Sequence, residues 1–154
     1  GSSFGITKVS ARENIESGIL EALKEDPEVI IESFVKGTEI SCGLLKTSSE
    51  VIVFPITEIV TKNEFFDFEA KYTKGMAEEI TPARIPEETK NQVQSIASEI
   101  YDNLNCKGLV RIDFILKGNQ IYFLELNSIP GMSKESIIPQ MVKTQKTSIQ
   151  TILL

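Results

Sequence analysis

The sequence predicts one α+β domain, in which helices pack on a mainly antiparallel sheet. Two observations predict this class. Runs rich in β-branched and aromatic residues follow one another across short turn signals, as in hairpin-linked strands. Two longer stretches instead repeat apolar residues at helical spacing. The sequence shows no internal repeat, and 154 residues are enough for one domain with a sizeable core.

Composition excludes several classes of function. The net charge of −6 and the pI near 4.8 argue against nucleic acid as a partner, although they leave room for a local basic nucleotide pocket. The sequence contains no histidine, which excludes His-based triads and zinc chemistry. Cys42 and Cys106 are interpreted as buried small residues rather than a disulfide. No apolar run is long enough to span a bilayer and no signal peptide opens the sequence, so we expect a cytoplasmic protein without membrane contact.

The first 35 residues are predicted to hold two strands and a helix. A Gly-Ser loop over residues 1–5 leads into a strand at Ile6–Val9. The N–H groups of this loop could wrap phosphate oxygens. Alternatively, the loop is a flexible linker or an expression remnant. Ser10 caps a helix with Glu13 three residues on, which is capping-box spacing. A nearly continuous apolar run predicts a strand at Val29–Phe34, buried on both faces. The apolar stripe of the helix contains Ile15, Ile19, Leu20 and Leu23.

Two further strands are predicted after a turn at residues 36–37, at Thr38–Leu45 and at Val51–Ile59. Glu32 and Glu39 flank this turn. They could bind a purine amino group and a ribose, or they are simply solvated carboxylates.

Residues 61–82 show no sustained period and are rich in lysine and aromatic side chains. Long irregular loops are uncommon in compact domains and often form lids over active sites. The lysines would suit phosphates, and the aromatic side chains would let the loop pack down and exclude water. The alternative is a surface loop without a role. The residues concerned are Lys62, Phe65, Phe66, Phe68, Lys71, Tyr72 and Lys74.

Two helices are predicted in the second half of the sequence. Pro86 opens the first, with Glu87 and Glu88 in its first turn, where the helix dipole favours acidic residues. The last helical region begins at residues 133–136 and is interrupted at Pro139. The buried face of the first helix is predicted to contain Val93, Ile96, Ala97, Ile100 and Leu104.

Two apolar strands near the C-terminus, joined by a tight turn, carry the strongest functional signal. Arg111 and Asp113 share a parity on the first strand, and Glu125 and Asn127 share one on the second. Because successive side chains point to opposite faces, each polar pair lies on one face of its strand. The opposite face is predicted to hold Val110, Ile112, Phe114, Tyr122, Leu124 and Leu126.

The register of these strands decides whether the polar pairs meet. A loop with an odd number of residues, centred on Asn119, places Asp113 opposite Glu125, whereas a two-residue turn separates them. We therefore predict a loop of three or five residues, with Gly118 or Asn119 in any left-handed conformation.

Two adjacent carboxylates repel each other unless a cation joins them. Oxygen ligands from Asp113, Glu125 and Asn127 suit Mg²⁺ or Mn²⁺, and Arg111 beside them adds a fixed positive charge. Magnesium held by few protein oxygens completes its shell with water and substrate phosphates, so this face is interpreted as a phosphoryl-transfer site. The alternative is a sheet with a solvated polar face.

Five segments occur in a recognisable order: GSSFGITKV, IIESFVKGTEIS, FFDFEAKY, CKGLVRIDFIL and YFLELNSIPGMSKES. Together they resemble the ATP-grasp portion of D-alanine–D-alanine ligases, over nearly the whole sequence. The resemblance implies that residues 1–154 form the C-terminal portion of an ATP-grasp domain. In that family one D-alanine carboxylate is phosphorylated by ATP, and the amine of a second attacks the acyl phosphate. The product serves peptidoglycan synthesis and cell shape.

The resemblance also implies roles for the polar cluster. Asp113, Glu125 and Asn127 would bind the magnesium ions that clamp the ATP phosphates. Arg111, assisted by the backbone N–H of Gly131, would steady the transferring phosphate and the tetrahedral intermediate.

Other segments would then bind the nucleotide and the second substrate. Glu32 and Glu39 would contact adenine and ribose. Lys71 and Tyr72 would form a lid pair that touches phosphate and second substrate, and a tyrosine there favours an amine acceptor. The remaining implied site residues are Ser2, linked to that tyrosine; Ser3 of the phosphate loop; Ser33, Phe34 and Val35, whose backbone reads the purine edge; and Ser136 and Ile137, which hold the second D-alanine carboxylate.

The sequence departs from the family in two ways. Its hairpin connection is one residue shorter than usual, and the N-terminal substrate domain and two ATP-binding lysines upstream are missing. We therefore expect a fragment of a longer enzyme, homodimeric at full length, with little ligase activity on its own. The alternatives are a ligase of the same fold with another acceptor such as D-lactate, a module that binds Mg·ATP without chemistry, and a non-catalytic acidic domain.

Overall fold

The computed structural model describes residues 5–48, 50–61 and 77–145. The chain divides into two compact units. The first contains residues 1–35 and 61–77, and the second contains residues 36–60 and 78–154.

The first unit contains a short 3₁₀ turn, Arg12–Asn14, followed by helix α1, Ile15–Ala22. The predicted capping box is wrong, because Ala11 and not Ser10 precedes the 3₁₀ turn, and Asn14 then precedes α1. Neither position makes a side-chain capping bond. The predicted apolar stripe is correspondingly weak: α1 has no buried residue.

The two strands predicted for this unit, Ile6–Val9 and Val29–Phe34, are also wrong. Among the described residues neither segment is paired as a strand, and the side chains of Ile30 and Ile31 are 84% and 70% exposed. A strand requires hydrogen-bonding neighbours as well as an apolar sequence. Composition alone could not show whether such neighbours are present.

The second unit is built on an antiparallel sheet, as the α+β class requires. In the described part of the chain the strand order is β4-β3-β1-β5-β6, and β2 also pairs with β1. The strands are β1 Thr38–Lys46, β2 Val51–Val53, β3 Thr57–Thr61, β4 Ala77–Ile80, β5 Gly108–Lys117 and β6 Gln120–Asn127. The short β4 lies at the end of the stretch predicted to be irregular, so that prediction is wrong for 77–80.

The single strand predicted at Val51–Ile59 is divided in two. Between β2 and β3, Phe54 donates its N–H to the carbonyl of Gly43, and the carbonyl of Ile56 accepts from Ala83. Pro55 lies between them and has no N–H to give to a ladder. The interruption buries the side chains of both Phe54 and Ile56.

Helix α2, Glu87–Asn103, covers one face of the sheet and confirms the helix that was predicted to begin at Pro86. Leu104 was wrongly predicted to be buried: its side chain is 59% exposed, because the helix ends at Asn103 and Asn105 turns the chain with φ of 51°. The core on this face contains Ile40, Cys42, Leu44, Ile56, Val93, Ala97, Tyr101, Val110, Ile112 and Phe114, with Ile96 and Ile100 packed against it.

Helix α3, Ile137–Thr144, packs on the opposite face through Ile138, Met141 and Val142. A Cβ at Gly43 would lie 2.5 Å from Cδ1 of Ile138, so glycine lets α3 approach the sheet at this point. Pro139 does not interrupt the helix as predicted. It is the third helical residue, where a backbone N–H would have no partner within the helix.

Candidate functional site

The predicted meeting of the two polar pairs is confirmed. In the β5–β6 ribbon, Asp113 lies opposite Glu125 and Arg111 lies opposite Asn127. β5 also pairs with β1, which places Ser41 opposite Asp113 and Gly43 opposite Arg111. Since opposite residues share a face, all of these positions lie on the side of the sheet that α3 covers.

The predicted reason for this register is wrong. Lys117 pairs with Gln120, so Gly118 and Asn119 form a two-residue turn rather than an odd-numbered loop. The register then shifts between Asp113 and Phe114, which is the signature of a β-bulge. Gly118 does adopt the predicted left-handed conformation, with φ of 58°.

Leu124 is the extra residue of this bulge. Phe123 pairs with Phe114 and Glu125 pairs with Asp113, so Leu124 has no opposite partner. One unpaired residue reverses the parity of the strand. The bulge therefore returns Glu125 to the face of Asp113 after a turn that would have separated them.

The bulge also changes which apolar residues reach the core. Ile121 and Leu126 pack against the core, whereas Leu124 is 44% exposed and the hydroxyl of Tyr122 donates to Gln120. The prediction that Tyr122 lies on the same face as Leu126 is thus wrong, because Tyr122 is opposite Ile115, which shares a face with Asp113. The unpaired Leu124 has no opposite residue that assigns it to a face. The two-residue turn packs Ile121 against the core and leaves the tyrosine hydroxyl with a polar partner.

Asp113 is the centre of the cluster, and its side chain is 9% exposed. Arg111 donates to it with two nitrogens: Nη2 lies 2.8 Å from Oδ2, and Nε lies 2.9 Å from Oδ1 and 3.2 Å from Oδ2. Ser41 Oγ donates to Oδ1 over 2.6 Å, and Asn127 Nδ2 donates to Oδ2 over 3.1 Å. All lone-pair directions of this buried carboxylate are therefore satisfied.

Arg111 remains a fixed cation in this environment. Burial by itself lowers its pKa, but the hydrogen bond and charge of Asp113, with the charges of Glu125 and Glu79, raise the pKa above the ordinary value. The side chain is mostly buried beside its partner. A guanidinium held in this way needs no rearrangement to meet an anion.

The donor set fits a hard divalent cation. Among the described residues no three His, Cys, Asp or Glu side chains gather into a metal group, but here two carboxylates are joined by an amide. Asn127 Nδ2 lies 3.1 Å from Asp113 and 3.4 Å from Glu125 Oε1, which is where a cation would relieve the repulsion between the acids. Ligation by Asn127 through Oδ1 requires its amide to turn over.

Gly131 and Ser136 form a second group of predicted residues. A Cβ at position 131 would lie 2.8 Å from Ser136 Oγ, so glycine lets this loop close on itself. Ser136 is the N-cap of α3, and its hydroxyl bonds Ser133 Oγ over 2.9 Å. The side chain of Ile137 packs into the apolar cluster under α3, which leaves its backbone as the polar group it can offer.

The remaining predicted residues lie on β1, in the first unit or outside the described residues. Glu39 lies on β1, two residues before Ser41 and on the same face. Glu32, Ser33, Phe34 and Val35 belong to the first unit, where Lys8 Nζ lies 4.3 Å from the centroid of the Phe34 ring. Outside the described residues lie Ser2, Ser3, Lys71 and Tyr72.

Sequence reasoning missed three polar residues of this region. Ser41 contacts Asp113 directly, and its parity with Glu39 on a strand was the signal that could have revealed it. Glu79 on β4 accepts a hydrogen bond from Gln140 on α3, whose amide also donates to the carbonyl of Glu135. Burial raises the pKa of Glu79, against the opposing effects of Gln140 and Arg111. No sequence signal joined Glu79 to Gln140, because their contact is not local.

The fold and the site define an α+β domain that carries a carboxylate–amide–guanidinium cluster on one face of its sheet. In the described parts of the chain, no helix has the length and apolar character to cross a bilayer. Comparison with known proteins agrees with this class. The model of the family described as the D-ala D-ala ligase C-terminus matches residues 1–154, and the chain belongs to this family.

Similar proteins include D-alanine–D-alanine ligases from Phocaeicola vulgatus, 51% identical, and Bacteroides fragilis, 50% identical. Each alignment covers 99% of this chain and 47% of the relative. A solved D-Ala:D-Ser ligase from Enterococcus faecalis is 37% identical with a TM-score of 0.84, over 99% of this chain and 45% of that one. A Bacillus anthracis D-alanine–D-alanine ligase complexed with ATP is 29% identical with a TM-score of 0.77, over 94% and 46%. The chain thus spans about half the length of the relatives it matches.

Proposed function

We propose that the chain is the C-terminal, ATP- and magnesium-binding part of a D-alanine–D-alanine ligase that serves peptidoglycan synthesis. The observation that carries the proposal is the cluster in which Asp113, Glu125, Asn127 and Arg111 meet across the β5–β6 ribbon. The family match over residues 1–154 and the ligases of 50 and 51% identity support the same reaction.

The cluster is suited to phosphoryl transfer. Mg²⁺ or Mn²⁺ held by Asp113, Glu125 and Asn127 would neutralise charge on the ATP phosphates. Arg111 supplies a second, permanent charge, and its ion pair with Asp113 holds it in place before substrate arrives. The backbone N–H of Gly131 is proposed to assist at the tetrahedral intermediate.

The start of α3 is suited to the carboxylate of the second D-alanine. The first backbone N–H groups of a helix lack partners within it and attract anions. Ile137 is the first residue of α3 and offers such an N–H group. Ser136 is the N-cap, and because its N–H donates to the carbonyl of Ser133, its hydroxyl is the group proposed to meet the carboxylate. The proposed reaction then joins the amine of this D-alanine to the acyl phosphate of the first, with release of phosphate.

The remaining contacts of the proposal rest on resemblance. Glu39 would bind the ribose, and the backbone of residues 32–35 would read the adenine. Lys71, Tyr72 and the serines of residues 2–3 would close over the phosphates. The solved relative complexed with ATP supports the choice of nucleotide.

We also propose the setting in which the enzyme works. The full-length protein is a homodimer in the cytoplasm, where ATP is available, and it binds neither nucleic acid nor membrane. Its product maintains the cell wall and hence cell shape. Sedimentation of the full-length protein tests the dimer.

The reaction is tested in a polypeptide that joins this chain to the preceding half of its relatives' length. We expect phosphate release to require both ATP and D-alanine. Arg111→Met should lower kcat at least 100-fold, the usual effect of removing a preorganised charge at a transition state. Arg84→Met is the matched control, because Arg84 pairs with Glu58 and not with the cluster. Equal loss in both variants would contradict the proposed role of Arg111.

The chain alone is tested by ATP binding. Binding to the 154-residue chain should require Mg²⁺, and Glu125→Gln should remove this requirement together with most of the affinity. Magnesium-independent binding, unchanged in the variant, would contradict the metal site. Peptide-bond formation by the chain alone would contradict our expectation that the other half is needed.

A second candidate differs only in the acceptor. The D-Ala:D-Ser ligase from Enterococcus faecalis, at 37% identity, favours testing D-serine beside D-alanine and D-lactate. Competition between the three acceptors in the full-length enzyme distinguishes the candidates. Preferential formation of D-alanyl-D-alanine would support the first.

A further inference from the structure

Ser41 on β1 contacts the acidic cluster through a hydrogen bond to Asp113. Its side chain is 2% exposed and lies directly opposite Asp113 on β5. The Oγ–Oδ1 distance of 2.6 Å is at the short end for a hydroxyl donating to a carboxylate. A buried hydroxyl at this distance restricts the rotation of its partner.

The two oxygens of Asp113 have different surroundings. Oδ1 accepts from Ser41 Oγ and from Arg111 Nε, so both of its lone pairs are used by groups that β1 and β5 hold in place. Oδ2 accepts from Arg111 Nη2, from Arg111 Nε at a longer distance of 3.2 Å, and from Asn127 Nδ2. When the amide of Asn127 turns over to offer Oδ1, a lone pair of Asp113 Oδ2 is released on the side of Glu125. Asp113 therefore has one anchored oxygen and one oxygen available to a cation.

We infer that Ser41 is a positioning residue, which holds Asp113 by Oδ1 so that Oδ2 faces the cation site shared with Glu125 and Asn127. The inference rests on the proposed function, because it gives Ser41 a role in that same metal site. Groups that orient metal ligands typically change metal affinity 10- to 100-fold when they are removed. Arg111 cannot replace the hydroxyl, since its two nitrogens already bond both oxygens.

The test measures the Mg²⁺ concentration that gives half-maximal ATP binding to the 154-residue chain, by equilibrium dialysis with labelled ATP. Ser41→Ala should raise this concentration about tenfold. Ser41→Thr keeps the hydroxyl and should restore a value near that of the wild type. Thermal unfolding of each variant is recorded in parallel.

Thr57→Val is the matched control. Thr57 is fully buried on the neighbouring strand β3, lies opposite Ser41, and bonds Thr81 over the same 2.6 Å. Its removal costs a comparable buried hydrogen bond but leaves Asp113 untouched. We expect a similar fall in melting temperature for Thr57→Val and Ser41→Ala, but a changed magnesium requirement only for Ser41→Ala.

The outcomes separate this inference from the proposed function. If the wild-type chain needs magnesium but Ser41→Ala needs no more of it than Thr57→Val does, the role of Ser41 is overturned and the metal site stands. If Ser41→Thr is as impaired as Ser41→Ala, the hydroxyl is not the group that matters, which also overturns it. If wild-type binding is independent of magnesium, the metal site is overturned, and the role of Ser41 with it.

Discussion

At the scale of single residues, the structure surrounds its charged groups with specific partners. Glu58 on β3 is 8% exposed and receives a bidentate bond from Arg84, whose Nε and Nη2 lie 2.9 and 2.8 Å from its oxygens. The backbone N–H of Arg84 donates to the same carboxylate. The hydrogen bond from the guanidinium is the main reason why the pKa of Glu58 is below its usual value.

This pair predicts a pH-dependent stability. A carboxyl group whose pKa is lowered by folding stabilises the protein above its unfolded pKa of about 4.3, and this contribution is lost as the pH falls through the folded pKa. Arg84→Met should lower the free energy of unfolding at pH 7, although only modestly, because the guanidinium is largely exposed and its interaction is screened by solvent. The difference from wild type should vanish near pH 2, as measured by urea denaturation.

Lys90→Met is the comparison for that experiment. Lys90 pairs with Glu87 on the exposed side of α2, at (i, i+3) spacing, where such pairs contribute only about 0.2 to 0.5 kcal/mol. If Arg84→Met lowers the free energy of unfolding no more than Lys90→Met does, or if its effect is unchanged at pH 2, the stabilisation does not come from the pair of Arg84 with Glu58.

The two cysteines should differ in reactivity. Burial, with the nearby charge of Asp113, raises the pKa of the Cys42 thiol to about 12, and its side chain is fully buried. Cys106 is partly exposed. Alkylation at pH 8 should therefore add one label to the folded chain, at Cys106, and two labels in urea, as counted by mass spectrometry. Labelling of Cys42 in the folded chain would contradict the described burial.

At the scale of elements, the β5–β6 ribbon shows what a local pattern can and cannot predict. The parity of Arg111 and Asp113, and of Glu125 and Asn127, was visible in the sequence, and it was sufficient to find the cluster. The turn length and the bulge were not visible, because they depend on whether Ile121 or Tyr122 fits the core. The predicted loop length was wrong and the bulge was not predicted. Each changes the register by one residue, so the two errors cancelled and the facing pairs were predicted for an incorrect reason.

The bulge leads to a prediction about deletions in β6. Removing Leu124 leaves Glu125 next to Phe123, so Asp113 still faces Glu125 in a regular ladder. Removing Leu126 instead places Asn127 opposite Ile112 and turns its amide toward the core. Deletion of Leu124 should thus keep cooperative unfolding and the proposed magnesium-dependent ATP binding, whereas deletion of Leu126 should abolish that binding and lower the melting temperature.

Each deletion removes one leucine from the same strand, so each is the control for the other. Circular dichroism during heating and ATP dialysis measure the two effects. Equal damage from both deletions would show that the bulge itself, rather than the register it restores, is required.

At the scale of the whole molecule, prediction succeeded where elements support one another. β1, α2 and the β5–β6 ribbon share one core and were all found from sequence. The failures at 6–9 and 29–34 lie in the first unit, whose described residues 5–35 include no buried side chain. An apolar run that lacks a neighbouring strand has no ladder to join, and a single sequence does not show which runs are neighbours.

This contrast predicts a difference in local stability. α1 has no buried residue, whereas α2 buries Val93, Ala97 and Tyr101. Amide hydrogen exchange should therefore be much faster in Ile15–Ala22 than in Glu87–Asn103, because local opening exposes less apolar surface there. Exchange followed by mass spectrometry of peptides measures the difference. Equal protection of both helices would contradict it.

The unpaired Leu124 has a consequence for variation in chain length. In a ribbon without a bulge, a register shift of one residue at the turn shifts every pair along the two strands by one residue. Here the unpaired Leu124 changes the register of β6 by one residue, at a point between the turn and Glu125. Insertions at Gly118 and Asn119 should therefore leave the acids at the other end of the ribbon in register, and the hairpin tip is a natural position for attaching a tag or a fluorescent label.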